Sequence, residues 1–239
     1  MSDVEQQVER LLADLDQAWP RGYTAVLFGS TAREQRIAGW SDINLLLIAE
    51  DLSPEALRAA RPALLRWREG AETLPLLFGP TEWRRSTDAY PLEIAEMRTA
   101  YRLLRGSDPL AGMKVAPEDL RMALEREFRG KLMRLRQGYA LMETGSPELS
   151  EFLRTSASSV LLLCRGLLIL RGETVPRENG EVLEAAGKLA GFPAQAVGRV
   201  VAARADERWR CTEEDVRGYL AAVDAAARYV DNFQTGART

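Results

Sequence analysis

Two kinds of hydrophobic pattern divide this chain of 239 residues. Short apolar runs typical of buried strands occur in the first half, among helical patterns, at 23–28, 43–48 and 74–78. The segment 90–97 is a plausible fourth strand, although its first residues fit a loop equally well. A segment with two glycines and two prolines follows at 106–117, and no convincing strand comes after it. We therefore predict an α+β protein, with a mixed α/β domain over residues 1–110 and an all-α helical bundle over residues 111–239.

Local signals mark where several helices begin. Ser53-Pro54 predicts a helix that ends near Gly70, with proline in its first turn. Ser146 is the expected N-cap of a long helix that reaches about residue 170, and the segment from Thr212 to Asp215 resembles a capping box. Apolar residues at helical spacing predict further helices at 3–18, 118–143, 180–190 and 193–204.

The most apolar stretch, at 160–170, does not predict a membrane span. It is interrupted by Arg165 and is much shorter than the roughly 20 mostly apolar residues that a span needs. The charged N-terminal segment has no hydrophobic signal core. We therefore expect a cytoplasmic protein without a membrane partner, in which this stretch forms a buried helix.

The absence of histidine restricts the chemistry more than any other feature of the composition. It excludes a Ser-His-Asp triad, a Cys-His dyad and an HExxH zinc helix. The two cysteines, Cys164 and Cys211, lie far apart in the sequence and form no zinc framework. The formal net charge of −3 argues against nucleic acid as a partner. Any chemistry must therefore come from carboxylates, hydroxyls, arginine and a hard metal such as Mg²⁺.

One group of residues fits that chemistry. Gly29 and Ser30 follow the first predicted strand, and Asp42 and Asn44 lie at the start of the second. Glycine permits a tight turn and a close ligand, and a short helix predicted near 30–36 would present N–H groups to an anion. Asp42 and Asn44 are two positions apart on a strand, so their side chains leave the same face. Oxygen ligands beside a phosphate cradle predict a magnesium–nucleotide site, provided that the two strands are neighbours.

The segments LFGSTAR at 27–33 and SDINLLL at 41–47 resemble the two halves of a known signature. It belongs to the DNA polymerase beta-like nucleotidyltransferase superfamily and reads hG[GS], then, after about ten residues, Dh[DE]h. The segments are especially similar to FGSxARG and SDIDLLV of the small bacterial members, which include minimal and aminoglycoside nucleotidyltransferases. The resemblance implies a nucleotidyltransferase-type mixed β-sheet domain with flanking helices, followed by a helical bundle.

The resemblance also implies an activity, which is transfer of a nucleoside monophosphate from an NTP to an acceptor, with release of pyrophosphate. ATP is the first expectation for the NTP. Gly29 and Ser30 would hold the triphosphate, and Arg33 would contact a phosphate. Asp42 would bind two Mg²⁺ ions, as the corresponding residue of the family does.

The family has a third carboxylate on a later strand, where it helps to bind the catalytic metal and activates the acceptor hydroxyl. Glu93 is the candidate, because strand alternation would turn Leu92 and Ile94 to the core and leave Glu93 on the opposite face. Asp88 and Glu96 are the alternatives.

The sequence departs from the family pattern at two positions. Asn44 stands where the family has Asp or Glu, so the site loses a negative charge that helps to hold the second cation. Glu34 replaces the glycine that normally follows the arginine. Asn44 therefore leaves two hypotheses open: a magnesium-dependent nucleotidyltransferase, or a catalytically degenerate binding or regulatory module of the same fold.

The acceptor expected from the family is a hydroxyl of a small molecule or of a protein, and the sequence does not choose between them. A homodimer is left open. The first helix of the bundle carries a basic set that could clamp a triphosphate or RNA, but acidic residues are interleaved with it, which favours a solvated face with ion pairs. That set comprises Arg121, Arg126, Arg129, Lys131, Arg134 and Arg136.

Overall fold

A computed structural model describes residues 3–29, 31–33, 43–71 and 73–234 of the chain. The helices are α1 (Asp3–Ala18), α2 (Pro54–Gly70), α3 (Pro80–Arg84), α4 (Pro91–Met97), α5 (Pro117–Leu141), α6 (Pro147–Arg171), α7 (Asn179–Ala190), α8 (Ala194–Ala202) and α9 (Glu213–Asp231). The strands are β1 (Tyr23–Phe28), β2 (Asn44–Ala49), β3 (Leu76–Phe78) and β4 (Tyr101–Arg105). Contacts divide the chain into two compact units, Met1–Tyr90 with Met97–Lys114 and Pro91–Glu96 with Val115–Thr239.

The first unit contains a four-stranded mixed sheet in the order β3-β2-β1-β4. Strand β1 is antiparallel to β2 and to β4, and β2 is parallel to β3. The two central strands are almost entirely apolar and largely buried, as expected for strands covered on both faces. The register sets Phe28, the last residue of β1, opposite both Asn44 and Tyr101.

Helices α1 and α2 pack against each other and cover one face of this sheet. Leu12 and Leu15 of α1 and Trp67 of α2 belong to the same buried cluster as Leu27 and Leu45 of the central strands. Ser53 caps α2, because its Oγ accepts a hydrogen bond from the backbone N–H of Ala56 at 3.3 Å. The predicted start of this helix is therefore confirmed.

The prediction of a strand at 90–97 was wrong, because this segment forms helix α4. Leu92 and Ala95, which are three residues apart, both join the buried core of the second unit, and this spacing places them on one helix face. The fourth strand lies further along the chain, at Tyr101–Arg105, and was not predicted.

The regular elements in the described part of the second unit are all helices, and its core is built around α5, α6 and α9. Small residues allow close packing at two points. A Cβ on Gly138 would lie 2.5 Å from the Phe152 ring, and one on Gly166 would lie 2.6 Å from Leu92. The predicted caps are confirmed: the Ser146 hydroxyl accepts from the Leu149 N–H at 3.1 Å, and the start of α9 is a capping box.

Helix α6 contains the apolar stretch at 160–170. Within the described residues it is the one helix long and apolar enough, by composition, to cross a membrane. However, 72% of its most apolar window is buried inside the protein, where residues such as Leu163 and Leu167 pack in the core of the helical unit. The expectation of a buried core helix is therefore confirmed.

Candidate functional site

The turn that follows β1 is built on Gly29. This residue has a φ of +73°, in the left-handed region that favours glycine. Its backbone N–H donates to the carbonyl oxygen of Ala100 at 3.3 Å, and its carbonyl accepts from the Arg33 N–H at 3.1 Å. The chain therefore turns tightly at the end of the strand and is bonded to the segment that precedes β4.

Asn44 lies directly beside this turn. It opens β2 opposite Phe28, and a Cβ built on Gly29 would lie 2.9 Å from the Asn44 Nδ2 atom. A side chain at position 29 would therefore occupy space that the Asn44 amide already fills. The two strands are neighbours, as the predicted site requires, and the structure brings the two halves of the motif together at Gly29 and Asn44.

Arg33 closes the turn. Its side chain is partly buried, and its Nη1 atom donates to the Thr99 hydroxyl at 3.3 Å. A guanidinium group carries N–H donors in a fixed planar fork, a geometry that suits a phosphate oxygen pair. The predicted phosphate ligand therefore stands within the same unit as Gly29 and Asn44.

Two of the predicted site residues lie outside the described part of the chain. These are Ser30 and Asp42, and Glu34 and most of the short helix predicted near 30–36 lie outside it as well. Their assignment to phosphate and metal binding stays a prediction from the sequence.

Glu93 lies on helix α4, so the strand alternation that suggested it as the third carboxylate does not apply. This residue is exposed on α4 in the helical unit, whereas Glu96 on the same helix is only 4% exposed. Asp88 is exposed in the turn before α4. None of the four described strands carries Asp or Glu, so the third carboxylate of the family has no counterpart on them.

Among the described residues at the turn, the predicted magnesium ligand is Asn44. Within the described ranges, no group of three or more Cys, Asp or Glu side chains is arranged to hold a metal. Asn44 offers one neutral carbonyl oxygen, and its nitrogen is the amide atom nearest Gly29. Mg²⁺ prefers oxygen ligands, so Asp42 would have to supply the charged one.

The site residues predicted from the sequence do not include three that lie near the turn, namely Thr99, Ala100 and Tyr101. Tyr101 lies across β1 from Asn44, since both pair with Phe28. Its phenol donates to the Asp108 carboxylate at 2.8 Å, and this hydrogen bond raises the pKa of Tyr101. These residues belong to or precede β4, whose edge position leaves no apolar run that could have identified them.

The basic set on α5 is largely engaged with acidic neighbours. Arg121 pairs with Glu125 at 2.7 Å, and Arg129 pairs with Asp231 at 2.7 Å. Lys131 is different, because burial and then nearby Arg134 lower its pKa. The interpretation of this face as one with ion pairs is therefore confirmed for Arg121 and Arg129.

Comparisons with known proteins agree at the level of fold. No protein-family model matches the chain, and no curated protein matches it. Among solved structures, the chain is similar to the spectinomycin adenyltransferase AAD(9) from Enterococcus faecialis, whose crystal structure contains ATP and spectinomycin. The two are 13% identical with a TM-score of 0.62, over 95% of this chain and 99% of the other. The chain therefore has the fold of a nucleotidyltransferase domain followed by helices.

Proposed function

We propose that the protein is a magnesium-dependent nucleotidyltransferase that moves a nucleoside monophosphate from an NTP to a hydroxyl group of an acceptor. The observation that carries this proposal is the contact between the Gly29 turn and Asn44, which joins both halves of the motif in a nucleotidyltransferase fold. A positive-φ glycine at a strand end, beside a polar residue of the neighbouring strand, suits a polyphosphate that must approach the backbone closely.

In this reaction an acceptor oxygen attacks the α-phosphorus of the NTP. The bond from the α-phosphorus to the bridging oxygen breaks, and pyrophosphate leaves with the electron pair. Gly29 would let the triphosphate approach the backbone closely, Ser30 would donate hydrogen bonds to it, and Arg33 would neutralise part of its charge. Magnesium, held by Asp42 and Asn44, would supply further charge neutralisation when bound.

The acceptor hydroxyl must also lose a proton. Glu93 is our candidate for receiving it, because this carboxylate is exposed, whereas Glu96 is buried. A carboxylate within reach of the acceptor hydroxyl can accept its proton as the oxygen attacks. This role rests on the exposure of the side chain, since the family's third carboxylate lies on a strand and Glu93 lies on helix α4.

We further propose that ATP is the nucleotide and that the acceptor is a small molecule in the cytoplasm. The support is that the similar structure contains ATP and a small molecule, spectinomycin. A protein hydroxyl is the other acceptor class that the family resemblance allows.

The test needs no knowledge of the acceptor. Thermal unfolding is recorded with each of the four NTPs, with Mg²⁺ or with EDTA, for the natural chain, for Asp42→Ala and for the control Asp206→Ala in the helical unit. A ligand at 100 times its Kd stabilises the folded state by about 2.7 kcal/mol. In a chain of this size that raises Tm by about 5–10 °C.

We expect a Mg²⁺-dependent rise in Tm that is retained in Asp206→Ala and lost in Asp42→Ala. An equal rise in Asp42→Ala would contradict the assignment of that residue to the site. If none of the four nucleotides changes Tm, the proposed function is wrong.

The neutral side chain of Asn44 favours a second candidate, a nucleotide-binding module without turnover. The two candidates differ in the effect of Asn44→Asp on pyrophosphate release in the presence of ATP and candidate acceptors. If the natural chain is inactive and Asn44→Asp is active, the natural site is degenerate. Turnover by the natural chain supports the enzyme.

A further inference from the structure

The short segment between α4 and β4 contacts the Gly29 turn at two adjacent residues. The backbone carbonyl of Ala100 accepts from the Gly29 N–H, and the hydroxyl of Thr99 accepts from Arg33 Nη1, each at 3.3 Å. The segment is itself held in a turn, since the Ala100 N–H donates to the Met97 carbonyl at 3.1 Å and the Met97 side chain is fully buried. One anchored segment therefore supports both the turn and its arginine.

The two contacts have different chemical consequences. The bond from Gly29 to Ala100 fixes main-chain geometry and survives most substitutions of the side chain at position 100. The bond from Arg33 depends on the Thr99 hydroxyl itself. An arginine side chain has many rotamers, and confining it to one costs conformational entropy. The Thr99 hydroxyl confines this side chain before the nucleotide binds, and so reduces the entropy cost of the binding step.

Thr99 is suited to this role because its side chain has little part in packing. It is exposed, unlike buried Met97 two positions earlier. Removing its hydroxyl should therefore leave the fold intact while releasing one point at which the Arg33 guanidinium is held.

We propose that Thr99 is a positioning residue that orients Arg33 toward the β- and γ-phosphates of a bound nucleoside triphosphate. Thr99 thereby contributes to the preference for a triphosphate over a monophosphate. This inference rests on the proposed function, since it assumes that an NTP binds at the Gly29 turn.

The experiment compares Kd values for ATP and AMP, measured calorimetrically with Mg²⁺, for the natural chain, Thr99→Val and Thr99→Ser. Loss of this exposed hydrogen bond, worth about 1 kcal/mol, should raise the Kd for ATP about fivefold in Thr99→Val. The Kd for AMP should stay within about twofold, because AMP lacks the phosphates that Arg33 would contact. Thr99→Ser keeps the hydroxyl and should restore the affinity for ATP.

A matched control exists in the same unit. Arg84 donates from Nη2 to the Thr81 hydroxyl at 3.2 Å, so Thr81→Val removes an arginine–threonine bond of the same kind outside the Gly29 turn. This variant should bind ATP and AMP like the natural chain. Tm without ligand, measured for all variants, shows whether a change in affinity reflects damage to the fold.

A double-mutant cycle tests whether Thr99 acts through Arg33. In an Arg33→Ala background, Thr99→Val should not weaken ATP binding further. The inference is overturned if Thr99→Val binds ATP like the natural chain, if it weakens ATP and AMP equally, or if its effect persists without Arg33. If the natural chain does not bind ATP, the proposed function is wrong as well. If the natural chain and Thr99→Val bind ATP with the same Kd, only the role of Thr99 is wrong.

Discussion

Replacing Gly29 with alanine tests the geometry of the site through the stability of the protein. The first cost is in the backbone, because position 29 has a φ of +73°. Holding an L-residue in the left-handed region costs about 1–2 kcal/mol. Alanine also reduces the entropy of the unfolded chain, which returns about 0.4–1 kcal/mol. The backbone term should therefore destabilise the folded state by about 1 kcal/mol.

The second cost comes from Asn44. The new methyl group would lie 2.9 Å from Asn44 Nδ2, closer than real Cβ contacts allow. The Asn44 amide is the end of a flexible side chain, so it can rotate away, and an off-rotamer side chain costs about 0.5–1.5 kcal/mol. The whole effect of Gly29→Ala should then be about 2 kcal/mol.

Gly22 provides a control for the backbone term. It has a φ of +84° and lies just before β1, and a Cβ there would have no described atom within 4 Å. Gly22→Ala should therefore cost only the backbone term of about 1 kcal/mol. The difference between the two variants isolates the contact with Asn44.

Urea unfolding with linear extrapolation measures both variants, in the natural background and with Asn44→Ala. The difference of about 1 kcal/mol between Gly29→Ala and Gly22→Ala should disappear when Asn44 is truncated. Equal costs in the natural background, or a difference that persists in Asn44→Ala, would refute the reasoning. The same two variants should also differ in their affinity for ATP, which should fall in Gly29→Ala and stay unchanged in Gly22→Ala.

Three further predictions concern the helical unit. Burial raises the pKa of Asp215, but hydrogen bonds from Thr212 and Arg199 outweigh it and hold that pKa below its ordinary value. The stability that this carboxylate contributes is therefore present above about pH 4 and lost as the pH falls through the lower folded pKa. In urea unfolding, the free energy of unfolding of the natural chain should exceed that of Asp215→Asn by a constant amount above about pH 5, and this difference should shrink in acid. Arg165 is 2% exposed and donates to three acceptors in the segment 176–179. Arg165→Met should therefore lower the free energy of unfolding, measured in urea, by about 2–4 kcal/mol, and a loss below about 1 kcal/mol would contradict this role. Burial raises the pKa of the Cys164 thiol to about 12, so this thiol should react with a thiol reagent only after denaturation, and rapid reaction in the native state would contradict the packing of α6.

Elements with local signals were predictable from the sequence. The helices that begin after Ser53, Ser146 and Thr212 each have a capping side chain, and the first two also have a proline in the first turn. A cap and its N–H donor lie within three residues of each other, so their interaction is encoded in a short segment. The central strands were predictable for a related reason, since burial on both faces requires continuous apolar runs.

The secondary structure of the segment 90–97 could not be predicted from its local pattern. Leu92 and Ile94 fit the alternation of a strand, whereas Leu92 and Ala95 fit one face of a helix. The outcome was decided by packing in the helical core, which local spacing does not reveal. The fourth strand was missed for the opposite reason: its Leu103 is 39% exposed at a sheet edge and carries no buried pattern.

Some features of the candidate site were predictable from the sequence, and others depend on the tertiary structure. The sequence by itself determined that the chemistry belongs to oxygen donors and arginine, because the chain has no histidine, and it located the motif at Gly29, Ser30, Asp42 and Asn44. The tertiary structure decided that the Asn44 amide packs on Gly29 and that Arg33 is held by Thr99. Arg33 and Thr99 are distant in the chain, and the pairing of β4 with β1 brings the segments that carry them together.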